Sequence, residues 1–329
     1  MQKRFAIILM AAGTVFTAAL GIPGLAQSQT KLKWAHVYET SEPYHKWSVW
    51  AGEEFKKRTN GKFEIQVFPA SSLGKESDIN QGLQLGTVDI ILTGASFASN
   101  SYPRLAVSYY PFTFRDADHV INYGKSEIFK ELTEGYRKAT GNTVTALTYY
   151  GARHATSNKL FTTCDQMKGL KMRVPDSPAY TALPRACGAN PTPIAFAEVY
   201  LALQNKTVDA QENPLPTIEA KKFYEVQSHI NLTGHITEML LTIVSGQVWN
   251  KLSADDRKVF QDVFREAAAK ATDEIAISEQ KLVGDFETKY KKTVVKSDRE
   301  AFKKVFTPFH LGPDATWDKA LYDKVQAVK

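Results

Sequence analysis

The stretch that decides the fold runs from Gly169 to Pro214: GLKMRVPDSPAYTALPRACGANPTPIAFAEVYLALQNKTVDAQENP. Leu170-Lys171-Met172-Arg173-Val174 alternates apolar and basic residues as a short strand does. Pro175 ends that strand by removing a ladder donor. Arg173 therefore falls at a strand's carboxyl end, where open α/β sheets present their ligands. Farther on, Val208 to Asn213 reads as another extended run, and Pro214 keeps Asn213 extended. A strand-end arginine and a strand-end asparagine in one lobe suit recognition of a carboxylate. Arginine's planar fork of donors matches two carboxylate oxygens, which lysine cannot do.

Four pieces of this region stand in order: GLKMRVP at 169–175, NPTPIAFAEVYLALQ at 190–204, VDAQENP at 208–214 and KKFYEVQ at 221–227. Together they resemble the solute-binding proteins of tripartite ATP-independent periplasmic (TRAP) transporters. The resemblance covers most of the chain and weakens after about Phe306. It implies a two-lobed α/β periplasmic binding protein fold, with the ligand cleft between the lobes and a long helix spanning both. The implied first lobe is 27–150 plus 239–278, and the second is 151–238 plus 279–329. It further implies a monomeric receptor that hands an organic acid anion to TRAP permease membrane subunits, with no metal or cofactor. Arg153, in ARHATSNK, becomes a ligand-facing arginine under this resemblance, and Phe196 lines the cleft opposite the arginine. The residues alone favour a surface Arg153 paired with a nearby acid, and they also allow Phe196 to sit in the core. Glu212 suits bracing an arginine better than touching an anion.

Working outward, Lys3 and Arg4 precede an apolar run, Phe5 to Ile22, and a small-x-small exit at Gly24-Leu25-Ala26. That is the pattern of an export signal, with cleavage expected after Ala26 and a periplasmic mature chain. No other run approaches the ~18 apolar residues of a membrane span. The 329 residues suffice for two lobes. A net charge of +6, without a basic block, argues against nucleic acid.

In chain order, Leu32–Val37, Phe63–Val67 and Val88–Leu92 read as strands separated by helices, the parallel βαβ grammar. A helix is expected over Ala117–Ala139, a strand over Thr143–Tyr150, and a strand over Met239–Val244. The lobe boundary is expected after Tyr150. Ser253 caps a helical pattern reaching about Tyr290, with a break expected near Gly284.

Gly94-Ala95-Ser96-Phe97-Ala98 nearly matches a hydrolase nucleophile elbow, which needs glycine where Ala98 stands. No helical pattern starts directly after Ser96, so a cleft-facing hydroxyl is the better reading and an exported α/β hydrolase the alternative. None of the seven histidines forms HxxxH or HExxH, and no phosphate-cradling glycine loop occurs. His36 and Glu76 are the first-lobe side chains expected at the cleft, with His235 a further candidate. A sensory receptor would use the same residues. Cys164 and Cys187, the two cysteines, are expected to pair in an oxidising compartment. Because Glu76 would repel a second carboxylate, a hydroxylated monocarboxylate such as a sugar acid is expected over a plain dicarboxylate.

Overall fold

The computed structural model describes residues 29–329; the expected export segment and its cleavage point lie outside the described residues. Among the described residues nine strands form one sheet in the order β2-β1-β3-β8-β4-β7-β5-β6, with β9 beside β8. They are β1 Thr30–Ala35, β2 Phe63–Phe68, β3 Ile90–Gly94, β4 Thr143–Ser157, β5 Lys171–Val174, β6 Asn190–Pro193, β7 Ala210–Pro214, β8 His229–Val244 and β9 Thr293–Lys296.

Two of these strands make the molecule two-lobed. β4 and β8 are 15 and 16 residues long and pair antiparallel along most of their length. Along β8, β3 pairs with the last part alone, Leu240 to Val244. Along β4, β7 pairs with the last part alone, Arg153 to Ser157. Each half of the β4–β8 ribbon thus carries its own parallel strands: β1, β2 and β3 at one end, β5, β6 and β7 at the other. Sequence reading ended the first long strand at Tyr150; it runs on to Ser157. The expected six-residue strand at Met239 is the second half of a strand that begins at His229.

The ribbon is irregular where the halves meet. Its register shifts between Tyr149 and Gly151, leaving Tyr150 as an extra residue. Gly151 has φ +125°, and a Cβ there would lie 2.7 Å from Pro214 and 2.8 Å from Glu279. Only glycine fits. The long helix Ala254–Thr288 satisfies amides on either side of this bulge. Thr272 Oγ1 accepts from the Tyr149 amide at 3.0 Å, and Glu279 Oε1 accepts from the Ala152 amide at 2.6 Å.

That helix is 35 residues, about 50 Å at 1.5 Å per residue. Ser253 caps it, accepting from the Asp256 amide. Phe264 stacks on Trp34 of β1 at 4.8 Å, whereas Phe286, two residues before the helix ends, contacts Tyr224 at 6.1 Å. The helix is a spine to both halves. It does not break at Gly284, where nothing stands within 4 Å of a Cβ. The glycine penalty of ~1 kcal/mol is small beside burial of Leu282 and Phe286 on either side.

The helix expected over Ala117–Ala139 is two, Ala117–Tyr123 and Glu127–Thr140, because Ser126 caps the second. Cys164 and Cys187 form a disulfide, tying the turn before β5 to the end of helix Ala182–Ala186. Among the described residues no helix is long and apolar enough to cross a membrane.

Candidate functional site

Arg173, Arg153 and Asn213 come from three neighbouring strands, β5, β4 and β7, and border one cavity. The opposite wall is the first lobe: Tyr38 after β1, Glu76 and Ser77 at the start of helix Glu76–Leu85, and Phe97 after β3. Phe196 closes the second-lobe side, 6.4 Å from the Tyr38 ring. The space between these walls is about 30 Å³, room for one or two waters.

Arg173 is 1 % exposed. Its Nε and Nη2 both donate to the Ile194 carbonyl, at 2.9 and 2.7 Å, which fixes the guanidinium plane. Nη1 is buried and has no hydrogen-bond partner. Burial pushes this guanidinium down to about 10, so it remains a cation at neutral pH. A buried cation with one idle nitrogen on a cavity wall is a donor for an anion.

Arg153 is differently occupied. Its Nε donates to Glu212 Oε2, its Nη2 to Glu212 Oε1 at 2.6 Å, and its Nη1 to Glu238 Oε2 at 2.7 Å. Nη2 also lies 3.2 Å from Asn213 Oδ1. Burial opposes its charge, but Glu212 and Glu238 outweigh it and hold Arg153 charged. Glu212, despite burial, is held below the usual carboxylate range by Arg153. The acid-pairing alternative describes this geometry, with the pair buried rather than at the surface. Arg153 borders the cavity, yet all three of its nitrogens are engaged within the protein.

Asn213 is likewise tied in, donating to Gln211 Oε1 at 2.6 Å and accepting from Tyr150 at 3.3 Å. Glu76 Oε1 accepts from the Thr93 hydroxyl and the Gly94 amide, each at 2.8 Å. Burial raises the Glu76 carboxyl to about 7. Phe196 is 9 % exposed and serves both expectations: it is core, and it lines the cavity with Arg173 5.9 Å from its ring.

Three expected residues do not reach the wall. His36 is 1 % exposed, directed at His45 (3.2 Å) and stacked behind Tyr38, with burial lowering it to about 3. His235 stands behind the arginine, 3.2 Å from Glu212 Oε2 and 2.7 Å from Thr233. Ser96 is fully buried. Contrary to expectation a short helix, Ala95–Ser99, does begin beside it. Its Oγ nevertheless has no hydrogen-bond partner, so no base activates it. Among the described residues no group of three His, Cys, Asp or Glu is placed to hold a metal.

Sequence reading missed Tyr38, Ser77, Tyr150 and Tyr180. Tyr38 follows a strand end, a position that the rule applied to Arg173 also covers. Tyr150 faces the cleft because of the bulge, and Tyr180 reaches Glu238 Oε1 at 2.5 Å from a distant turn; no local signal announces either.

Two α/β halves on a shared ribbon and spine, enclosing a buried cation, define a two-lobed solute receptor. Residues 34–312 match the family described as bacterial extracellular solute-binding protein, family 7, and the chain belongs to that family. A solute-binding protein of Roseobacter denitrificans is 36% identical over 262 residues, 80% of this chain and 79% of that one. Its TRAP periplasmic protein structure, with bound L-galactonate, matches at TM-score 0.85 over 92% of this chain and 99% of that chain, at 31% identity. A Bordetella TRAP periplasmic solute-binding protein, its density assigned as pantoate, matches at TM-score 0.87 and 31% identity, covering 92% and 100%. The C4-dicarboxylate-binding periplasmic protein of Rhodobacter capsulatus is 30% identical over 319 residues, 94% of each chain.

Proposed function

We propose that this chain captures a hydroxylated monocarboxylate of the sugar-acid class in the periplasm and delivers it to a TRAP permease. The idle, buried Nη1 of Arg173 is the observation that carries this reading: it offers a charge-assisted bond to one carboxylate. Glu76 on the facing wall argues for hydroxyls and against a second carboxylate beside it. Galactonate and pantoate, held by the Roseobacter and Bordetella proteins, are both hydroxylated monocarboxylates. The Rhodobacter relative makes a C4-dicarboxylate the second reading.

On this reading Arg173 docks the carboxylate, Asn213 and Phe196 complete its surroundings, and Arg153 serves by holding Asn213 and the second-lobe strands in place. His36, His235 and Ser96 support the walls from behind. The cavity is too small for a six-carbon acid, so capture requires the lobes to part and close again. The change of partners along β4 and β8 near Gly151 and Glu238 supports a lobe boundary there. Removal of residues 1–26 and a monomeric mature chain complete the proposal. Calorimetric titration of the purified protein with L-galactonate, D-gluconate, pantoate and succinate tests it. Micromolar binding of a hydroxy acid, about −8 kcal/mol, is expected. Binding of succinate alone would replace the sugar-acid reading with the dicarboxylate one.

A further inference from the structure

We infer that Ser77 is a specificity-determining residue, whose hydroxyl bonds a ligand hydroxyl remote from the carboxylate. The inference rests on the sugar-acid reading above and adds the residue that reads the polyol end. Lys75, Glu76 and Ser77 are consecutive and all line the cavity, opposite Arg173. Their side chains differ in what they have left to offer. Lys75 Nζ faces Asp176 Oδ2 at 3.6 Å. Glu76 Oε1 is taken by Thr93 and Gly94. The Ser77 Oγ is buried and has no partner at all. A hydroxyl is both donor and acceptor, so it suits another hydroxyl better than it suits a carboxylate already served by an arginine.

The same cavity holds a second idle group, Nη1 of Arg173, in a side chain that is 1 % exposed. These two lining atoms, one on each lobe, are buried without partners. An acid with an anion at one end and hydroxyls along the other satisfies both, whereas an unsubstituted short acid satisfies Arg173 alone. Ser77 sits in the first turn of helix Glu76–Leu85, so it stays rigid and comes to the ligand only when the first lobe closes. Sites built to bond a hydroxyl reject analogues lacking it, since their own polar group then goes unpaired.

The test is calorimetry on full-length mature protein with L-galactonate and with propionate, for wild type, Ser77→Ala and Ser77→Thr. Alanine should weaken L-galactonate about tenfold or more and leave propionate unchanged, and threonine, which keeps the hydroxyl, should recover most of the loss. The melting temperature of the ligand-free alanine variant should hold or rise, since an unpaired polar atom is removed. Wild-type-like L-galactonate binding by the alanine variant overturns the role of Ser77 and leaves the sugar-acid reading standing. Failure of the wild type to bind L-galactonate or D-gluconate overturns both.

Discussion

Lys75 Nζ lies 3.6 Å from Asp176 Oδ2, joining the first lobe to the second across the mouth of the cleft. Both side chains are about half exposed, at 47% and 51%. Solvent therefore screens the attraction, and an exposed pair of this kind contributes at most ~1 kcal/mol. Lys75→Ala should speed ligand release by no more than about fivefold and barely alter capture. Stopped-flow fluorescence at low and high salt checks this. At high salt the wild type should release ligand as the variant does.

Arg173→Lys should cost about 100-fold in affinity while leaving the fold intact. Two nitrogens of the guanidinium already hold the Ile194 carbonyl, and the third is the one left over. A single ammonium cannot hold that carbonyl and also meet the ligand in the same plane. Titration calorimetry beside a melting curve separates lost binding from lost fold.

Arg153 should behave in the opposite way. Its removal strands Glu212 and Glu238, 2% and 0% exposed, without their cation. Truncating one member of a buried charge cluster costs on the order of 3–5 kcal/mol. Arg153→Met should therefore show itself first as a lower urea midpoint, and only then as weaker binding.

Glu42 supplies a pH dependence. It is 1 % exposed, accepts from the Thr217 hydroxyl of the second lobe at 2.7 Å, and burial raises it to about 7. Thr217 and the Glu39 amide pull it back down, as Lys221 does more weakly. A carboxyl whose folded value lies above its unfolded one binds protons more tightly when folded. Its contribution is complete below about pH 4.5 and fades as pH rises through about 7. Glu76, also raised to about 7, acts with the same sign. Thermal denaturation of Glu42→Gln from pH 5 to 8 should show a shallower decline than the wild type, with the largest relative gain at pH 8.

Much of the architecture follows from local pattern. β1, β2 and β3, the strand at Arg173, the run ending at Asn213 and the Ser253 cap are all legible, because alternation, proline and capping residues act over a few neighbours. The disulfide is legible from an even count, and Arg173 from its place at a strand end.

Other features have no local cause. β4 runs past Tyr150 because β7 and β8 offer it partners from 53 to 87 residues away. Two short strands, β6 and β9, form on neighbours already in place. The site divides along the same line. That residue 173 is an arginine at a strand end is written in the sequence. That Arg153 is spent on Glu212 and Glu238 while Arg173 keeps a nitrogen idle depends on side chains brought from β7 and β8. The sequence by itself thus determined the elements, the family and the kind of charge in the cleft, through interactions of short range. Which charges are already neutralised, and which hydroxyl is left without a partner, only the tertiary structure decided, because both depend on which distant residues come within hydrogen-bond reach.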